Sequence, residues 1–125
     1  VDTTWYNNEQ ICNVSLAKDS SLRTSFLDMA GREGVDFVGK SCRPHEKLLV
    51  VDSLGKLIQA VQSPANTAFD HTEWISKGEF EIATLSNLKN EGAHERIALV
   101  NMKNEEVTEI VSGDEMWHPC FWIEK

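Results

Sequence analysis

The fold class is decided by residues 48–61, which read LLVVDSLGKLIQAV. The two apolar runs, 48–51 and 57–61, are short and rich in side chains that favour β-strands. The five residues between them include Gly55, which supplies the positive φ that a tight connection needs. This stretch therefore predicts a β-hairpin near the middle of the chain.

Upstream of the hairpin, the spacing of apolar residues predicts one helix and one strand. Four residues share one helical face, at positions i, i+4, i+7 and i+8. They are Leu22, Phe26, Met29 and Ala30. We therefore expect a helix at about residues 20–30, which Gly31 or Gly34 ends. From Val35 onward the spacing changes to two, so residues 35–38 are expected to form a strand.

Downstream of the hairpin, one more helix and several strands are expected. Asp70 followed by Glu73 is typical of the start of a short helix, which Gly78 ends. Alternation of apolar and polar residues predicts the strands that follow. These strands are 79–83, 96–100, 107–111 and 116–123. Pro119 interrupts the last of them, which indicates an edge strand or a bulge.

These elements predict an α+β fold, with an N-terminal helix packed on a curved, mainly antiparallel meander sheet of five to seven strands. A chain of 125 residues is shorter than the length at which chains usually divide into domains. We therefore expect a single domain over residues 1–125, with the helix at about 20–30 and the strands from about 35 to 123.

Charge and composition exclude several classes of function. The chain has 12 basic and 20 acidic residues, a formal net charge of −8, so the basic surface typical of nucleic-acid binding is not expected. It has no run of about 18 apolar residues, so we do not expect this segment to insert into a membrane. Because the sequence begins at Val1, we allow for an upstream signal peptide or membrane anchor, and we expect a periplasmic or secreted location.

The three cysteines give a second indication of the compartment. They are Cys12, Cys42 and Cys120, an odd number that allows one disulfide and one free thiol. We expect a disulfide that involves Cys120, with Cys42 or Cys12 as its partner. The alternative is that all three cysteines are reduced and pack as small apolar residues.

The chain contains none of the common catalytic or metal-binding motifs. His118 and Cys120 stand two apart in a predicted strand, which indicates edge packing rather than a nucleophile and its base. Cys42 and His45 are of the residue types that bind zinc, but nothing in the sequence brings them to His118 and Cys120. We therefore predict a non-enzymatic protein with no metal and no cofactor.

The loop before the hairpin resembles a loop of a known family. Residues Cys42-Arg43-Pro44-His45-Glu46 are similar to the Cys-Lys-Pro-His-Asp-Cys loop of the periplasmic inhibitors of vertebrate lysozyme. In that family the loop protrudes from a sheet, so the resemblance implies that His45 enters the lysozyme cleft and that its neighbours shape the loop. The expected partner-binding residues are Arg43, Pro44, His45 and Glu46. The family's second loop cysteine is a lysine here, at position 47.

Three functions remain open from the sequence. The first is an extracytoplasmic binding module acting on a protein partner, which the acidic charge predicts to be basic; the resemblance implies a lysozyme-type inhibitor. The second is a periplasmic sensor or accessory domain of a membrane-anchored regulator, which works in a complex and responds to pH or to a small apolar ligand. Its pH-responsive candidates are the four histidines, His45, His71, His94 and His118, of which His45 and His118 are put forward as site residues. The third is an immunity-type protein that neutralises a toxin.

Overall fold

The computed structural model describes residues 4–6, 9–75 and 78–121. Within these ranges the chain forms eight strands and one short helix. In chain order they are β1 (Ile11–Leu16), β2 (Thr24–Asp28), α1 (Arg32–Val38), β3 (Lys47–Val51), β4 (Leu57–Gln62), β5 (Thr67–Trp74), β6 (Phe80–Asn87), β7 (Ala93–Asn101) and β8 (Glu106–Ser112). No helix in the described part of the chain is long and apolar enough to cross a bilayer.

The strands form two antiparallel sheets of four, in the orders β1-β2-β3-β4 and β5-β6-β7-β8. Within each sheet, every strand pairs with the next one along the chain, and the connection from β4 to β5 passes from one sheet to the other. The two sheets pack against each other around an apolar core to which both contribute. The members of this core include Leu27, Leu48, Phe69, Trp74 and Leu85.

β1 and β5 are edge strands that lie side by side where the two sheets meet. The backbone N–H of Trp74 donates to Ser15 Oγ over 3.1 Å. The side-chain Nδ2 of Asn13 donates to the backbone carbonyl of Asp70 over 2.6 Å. These side-chain bonds join strands that belong to different sheets, and they fix Asp70 relative to β1.

β2 and β3 are buried along their whole length. Their inner face contributes to the core between the sheets, and a second apolar cluster covers the outer face. This cluster consists of Tyr6, Phe26, Leu49 and Val51, with Val38 of α1 packed against it. α1 lies between Gly31 and Gly39, the second of which has a left-handed φ of 78°. The carboxylate of Glu9 accepts the backbone N–H of Glu33 in the first turn of this helix.

The predicted α+β fold, with an N-terminal helix on a single sheet of five to seven strands, is wrong. Residues 24–28, inside the predicted helix at about 20–30, form β2, and residues 35–38, predicted as a strand, belong to α1. A strand that is buried on both faces lacks an apolar–polar alternation, so its apolar residues matched the spacing of a helical face. α1 depends on its flanking glycines and on Glu9, which is distant in sequence.

Two predictions for the second half of the chain are also wrong. Residues 70–74 continue β5 instead of starting a helix, and a register shift between Phe69 and Thr72 interrupts the alternation expected of a strand. Residues 116–121 form no strand, and residues 122–123 of the predicted last strand lie outside the described residues.

The hairpin at residues 48–61 is confirmed as the antiparallel pair β3 and β4, with Gly55 at φ 79°. The alternating segments predicted at 79–83, 96–100 and 107–111 are confirmed as parts of β6, β7 and β8, apart from residue 79. Antiparallel pairing of sequence neighbours is therefore correct, while the division into two sheets was not foreseen.

Candidate functional site

The four predicted partner-binding residues form the loop between α1 and β3. Arg43 and Pro44 are exposed, and Glu46 is half-buried. The carboxylate of Glu46 accepts the backbone N–H of Arg43 over 2.8 Å, and the N–H of Glu46 donates to the Arg43 carbonyl over 3.1 Å. The bond from the Arg43 N–H is the main cause of the lowered pKa of Glu46. Glu46 thus closes a loop that has no second cysteine.

His45 is half-buried and faces the protein instead of projecting from the loop. Its backbone has a positive φ of 59°, its N–H donates to the Asp28 carbonyl over 2.8 Å, and its carbonyl accepts the N–H of Phe69 over 2.9 Å. Its Nε2 lies 3.1 Å from Cys12 Sγ and 3.0 Å from Met29 Sδ. Of the four predicted partner-binding residues, the exposed ones are therefore Arg43 and Pro44, which precede His45.

A groove of about 530 Å³ adjoins the exposed part of this loop. Residues that line it include Lys40, Arg43, Gln62, Pro64 and Leu88. Its wall combines charged, polar and apolar side chains from the loop, from the connection between β4 and β5, and from the turn after β6. Such a mixed, open surface is suited to contact with a protein rather than to enclosure of a small apolar ligand.

A second cluster combines side chains of β5 and β7 with the segment that follows β8. Asp70 Oδ2 pairs with His94 Nε2, and Asp70 Oδ1 lies 3.6 Å from His71 Nδ1. The ring centroids of His71 and His118 are 3.9 Å apart, and those of His94 and Trp117 are 3.5 Å apart. One carboxylate, three imidazoles and one indole are therefore linked by a continuous series of contacts.

Two backbone hydrogen bonds hold the C-terminal segment against β7. The N–H of Gly113 donates to the Glu95 carbonyl over 2.9 Å, and the N–H of Met116 donates to the His94 carbonyl over 2.7 Å. The second bond directly precedes Trp117, whose indole packs on the imidazole of His94. The segment thus brings an exposed aromatic residue to the histidines.

The electrostatic environment of His71 connects the two clusters. Burial lowers the pKa of His71, Asp70 opposes this effect, and His118, His94 and His45 lower the pKa further. Contacts place all four histidines near one part of β5, because the carbonyl of His45 accepts the N–H of Phe69, Asp70 contacts His71 and His94, and His118 packs on His71. We call this region the histidine end: His45, His71, His94 and His118, with Asp70 and Trp117.

The predicted disulfide through Cys120 is not formed, since Cys12, Cys42 and Cys120 all carry free thiols. Cys12 Sγ contacts His45 instead, and Cys120 lines a cavity of about 280 Å³ bordered by β1, β5 and the C-terminal segment. Burial is the main cause of the raised pKa of both Cys12 and Cys42. Both thiols are therefore held in the protonated form at neutral pH.

Among the described residues, no group of three or more His, Cys, Asp or Glu side chains is arranged to hold a metal ion. In particular, the structure does not assemble Cys42 and His45 with His118 and Cys120 as a four-ligand site. The close contact of His45 is with one thiol and one thioether.

The sequence interpretation missed Met29, Asp70 and Trp117 as parts of this site, and it named His71 and His94 only among the pH-responsive candidates, without placing them together. Asp70 and His94 stand on β5 and β7, which are separated by β6 in the sheet. Their contact therefore depends on the pairing of three strands and on the register shift in β5, neither of which the spacing of residues indicates. The feature of the sequence that could have indicated this site is its four histidines, but the sequence does not show that they lie close together.

Comparison of the chain with protein-family models, with curated proteins and with solved structures finds no match. The fold and the site therefore define a structural class: an antiparallel β-sandwich of two four-stranded sheets that carries its histidines at one end. A fold alone does not determine an activity, so the side chains at that end are the features that bear on function.

Proposed function

We propose that the protein is a non-enzymatic, extracytoplasmic binding module whose contact with a protein partner depends on pH. The observation that carries this proposal is the histidine end, which gathers imidazoles from four separate segments of the chain. Histidine is the side chain whose ordinary pKa lies closest to physiological pH, so such a group responds to mild acidification.

The exposed residues at this end offer contacts of the kind that protein interfaces use. Arg43 and Pro44 are exposed beside His45, and proline fixes the backbone before a partner arrives. Trp117 is 48% exposed while its ring packs on His94. Arginine and tryptophan are enriched among the residues that dominate binding energy. The net charge of −8 favours a basic partner.

The charge of the histidine end depends on the protonation of its imidazoles. Asp70 pairs with His94 and lies 3.6 Å from His71, so its single negative charge is shared between two imidazoles. His118 packs on His71 with ring centroids 3.9 Å apart, and burial together with this neighbour lowers the pKa of His71, so a positive charge on His71 disfavours the contact. Acidification therefore favours release of the segment that carries Trp117 and His118.

The environment of Cys12 supports a binding role over a catalytic one. Cys12 and His45 have the separation of a nucleophile and its base, 3.1 Å. Burial, however, raises the pKa of Cys12, which is opposite to the shift that a reactive cysteine needs. The same Nε2 also contacts Met29 Sδ.

A lysozyme-type inhibitor is the specific form of this proposal that the resemblance of residues 42–46 supports. In the free protein, His45 contacts Cys12 and Met29, so insertion into a cleft would require it to leave both sulfur atoms. Association with a lysozyme would therefore begin with Arg43 and Pro44. A sensor domain within a larger complex would use the same end and the same histidines.

Calorimetric titration with a vertebrate lysozyme, at about pH 7.5 and about pH 5.5, tests the inhibitor form. We expect binding at the higher pH, weaker binding by Arg43→Ala, and unchanged binding by Lys103→Ala. Lys103 is the matched control because it is an exposed cation beyond the other end of β7. Absence of binding would exclude the inhibitor form.

Capture of partners from a periplasmic extract tests the broader proposal. The wild type, Arg43→Ala, Trp117→Ala and Lys103→Ala are immobilised in parallel at both pH values. We expect the wild type and Lys103→Ala to retain a partner protein at the higher pH. We expect Arg43→Ala and Trp117→Ala not to retain it, and the wild type to release it at the lower pH. A partner retained equally by the wild type and all three variants at both pH values would overturn the proposal.

A further inference from the structure

Two sulfur atoms from different segments contact the same imidazole nitrogen beside β1. His45 Nε2 lies 3.1 Å from Cys12 Sγ and 3.0 Å from Met29 Sδ. Cys12 belongs to β1, Met29 directly follows β2, and His45 lies in the loop before β3. We call these three residues the sulfur–imidazole group.

Backbone pairing holds the three residues in place. Cys12 pairs with Leu27 in the β1–β2 ladder, two residues before Met29. Asp28 lies between Leu27 and Met29 in the chain, and its carbonyl accepts the N–H of His45 over 2.8 Å. The donors are therefore positioned by a sheet and by a backbone bond to it, as a preorganised site requires.

Hydrogen bonding alone accounts for only one of the two sulfur contacts. A neutral Nε2 carries either one hydrogen or one lone pair, so it forms one well-directed hydrogen bond. When Nε2 accepts the Cys12 S–H, the Met29 sulfur 3.0 Å away faces nitrogen without a hydrogen between them. When Nε2 donates, one hydrogen is divided between two sulfur atoms. A cation placed among the three atoms satisfies all of them.

We infer that Cys12, Met29 and His45 form a binding site for a soft monovalent cation, Cu(I), through a thiolate, a thioether and an imidazole. Thiolate and thioether ligands together select Cu(I), whereas Mg²⁺ and Ca²⁺ require oxygen ligands. The thioether also disfavours zinc, whose protein ligands are thiolate, imidazole and carboxylate.

Binding replaces the proton of the Cys12 thiol by the metal ion. The S–H bond breaks, an S–Cu bond forms, and the proton passes to the solvent, while copper keeps its +1 charge. The metal thereby overcomes the burial that keeps this thiol protonated in the free protein. Asn13 Nδ2, which lies 3.9 Å from Cys12 Sγ, is placed to donate to the resulting thiolate.

The site needs a small expansion to hold the ion. With bonds of about 2.3 Å to sulfur and about 2.0 Å to nitrogen, the nitrogen of a three-coordinate ion lies about 3.7 Å from each sulfur. The present separations are 3.0 and 3.1 Å, so each sulfur has to move by several tenths of an ångström. Met29 is 36% exposed and flexible, which permits this movement and gives the ion a path from solvent.

Anaerobic titration with Cu(I), supplied as its acetonitrile complex and competed with a coloured Cu(I) chelator, tests this inference. The reference protein carries Cys42→Ser and Cys120→Ser, because those free thiols would add separate binding. We expect one tightly bound equivalent, with an ultraviolet absorption band from thiolate to Cu(I). Silver(I), which does not change its oxidation state, should give the same stoichiometry.

Matched variants assign the ligands. In the reference protein, Met29→Leu should weaken Cu(I) binding by about tenfold or more, whereas Met116→Leu, a thioether change elsewhere, should have no effect. Cys12→Ser should abolish the absorption band. Thermal unfolding of each metal-free variant shows that it is folded, and the rise of its melting temperature with Cu(I) measures binding independently of absorbance.

Two outcomes would overturn the inference. One is equal Cu(I) affinity of Met29→Leu and Met116→Leu. The other is a bound equivalent, with a shifted melting temperature, that persists in Cys12→Ser. Zn²⁺ binding as tight as Cu(I) binding and insensitive to Met29→Leu would show a different site from the one inferred. None of these measurements uses the partner protein, so their failure is separate from a failure of the proposed function.

Discussion

His71 and His118 lie with their ring centroids 3.9 Å apart, although one belongs to β5 and the other to the segment after β8. Burial lowers the pKa of His71, Asp70 opposes this, and His118, His94 and His45 lower it further. A base whose pKa is lowered by folding stabilises the folded state fully above its unfolded pKa of about 6.5. That contribution is lost as pH falls through the lower pKa of the folded state.

We therefore expect the wild type to lose stability between about pH 7 and about pH 5, and His118→Gln to lose less. Glutamine keeps a polar side chain beside His71 and removes the imidazole that contributes to the lowered pKa of His71. Urea unfolding at a series of pH values measures the difference, and Trp117→Phe shows how much of the fluorescence change arises near the cluster. An identical pH profile in the wild type and His118→Gln would contradict the role of this contact.

A hydrogen bond between Ser15 of β1 and Trp74 of β5 joins the two sheets. Ser15 Oγ accepts the backbone N–H of Trp74, and Trp74 is buried. Ser15→Ala leaves that N–H without its partner, which should lower the free energy of unfolding by about 1–3 kcal/mol. Ser53→Ala, in the exposed hairpin turn, should change it by less than about 0.5 kcal/mol. Equal effects of the two substitutions in chemical denaturation would show that the bond contributes nothing.

Two glycines with nearly equal backbone angles provide a matched pair. Gly55 has φ 79° and Gly92 has φ 81°. A Cβ at Gly55 would lie 2.4 Å from Trp5 Cγ, whereas a Cβ at Gly92 meets nothing within 4 Å. In both alanine variants the left-handed backbone lowers the free energy of unfolding by about 1 kcal/mol. In Gly55→Ala the new Cβ must also displace the indole of Trp5. We expect the larger loss of unfolding free energy in Gly55→Ala; losses of the same size would mean that Trp5 moves without cost.

Whether a strand could be predicted from the sequence depended on which of its faces are buried. The hairpin at 48–61 was predictable because a glycine-containing turn separates two short β-forming runs. β2 was mistaken for a helix because both of its faces are buried, so it has no alternation to distinguish it. α1 was mistaken for a strand because its first turn depends on Glu9, and a contact distant in sequence leaves no local pattern.

The site was less predictable than the fold, for a different physical reason. The loop at 43–46 was found because Pro44 and its neighbours form a recognisable local pattern, but the inward direction of His45 depends on Asp28 and Phe69. Asp70 and His94 meet across β6, at positions that only the register of three strands defines. Sequence spacing identifies residues within one element and not contacts between elements.

Glu81 is a carboxyl group in the middle of the apolar core. It is 0% exposed, and its position on β6 is on the same face as Ala83 and Leu85, which pack between the sheets. Neither of its carboxylate oxygens has a hydrogen-bond partner. Burial raises the pKa of Glu81 from 4.5 to about 8, against the opposing effects of Ser25 and Arg23. Glu81 is therefore protonated in the folded state at neutral pH.

An acid whose pKa is raised by folding stabilises the folded state fully below its unfolded pKa, and this contribution is lost as pH rises through the folded pKa. For Glu81 the loss therefore occurs as the pH rises from 4.5 to about 8. Glu81→Gln removes this loss because glutamine stays neutral. Between about pH 5 and about pH 7.5, its unfolding free energy should fall less than that of the wild type, by up to about 3 kcal/mol. Urea unfolding at both pH values measures this difference, with the exposed Glu91→Gln as control. A wild-type pH dependence in Glu81→Gln would mean that Glu81 is ionised and solvated in the folded protein.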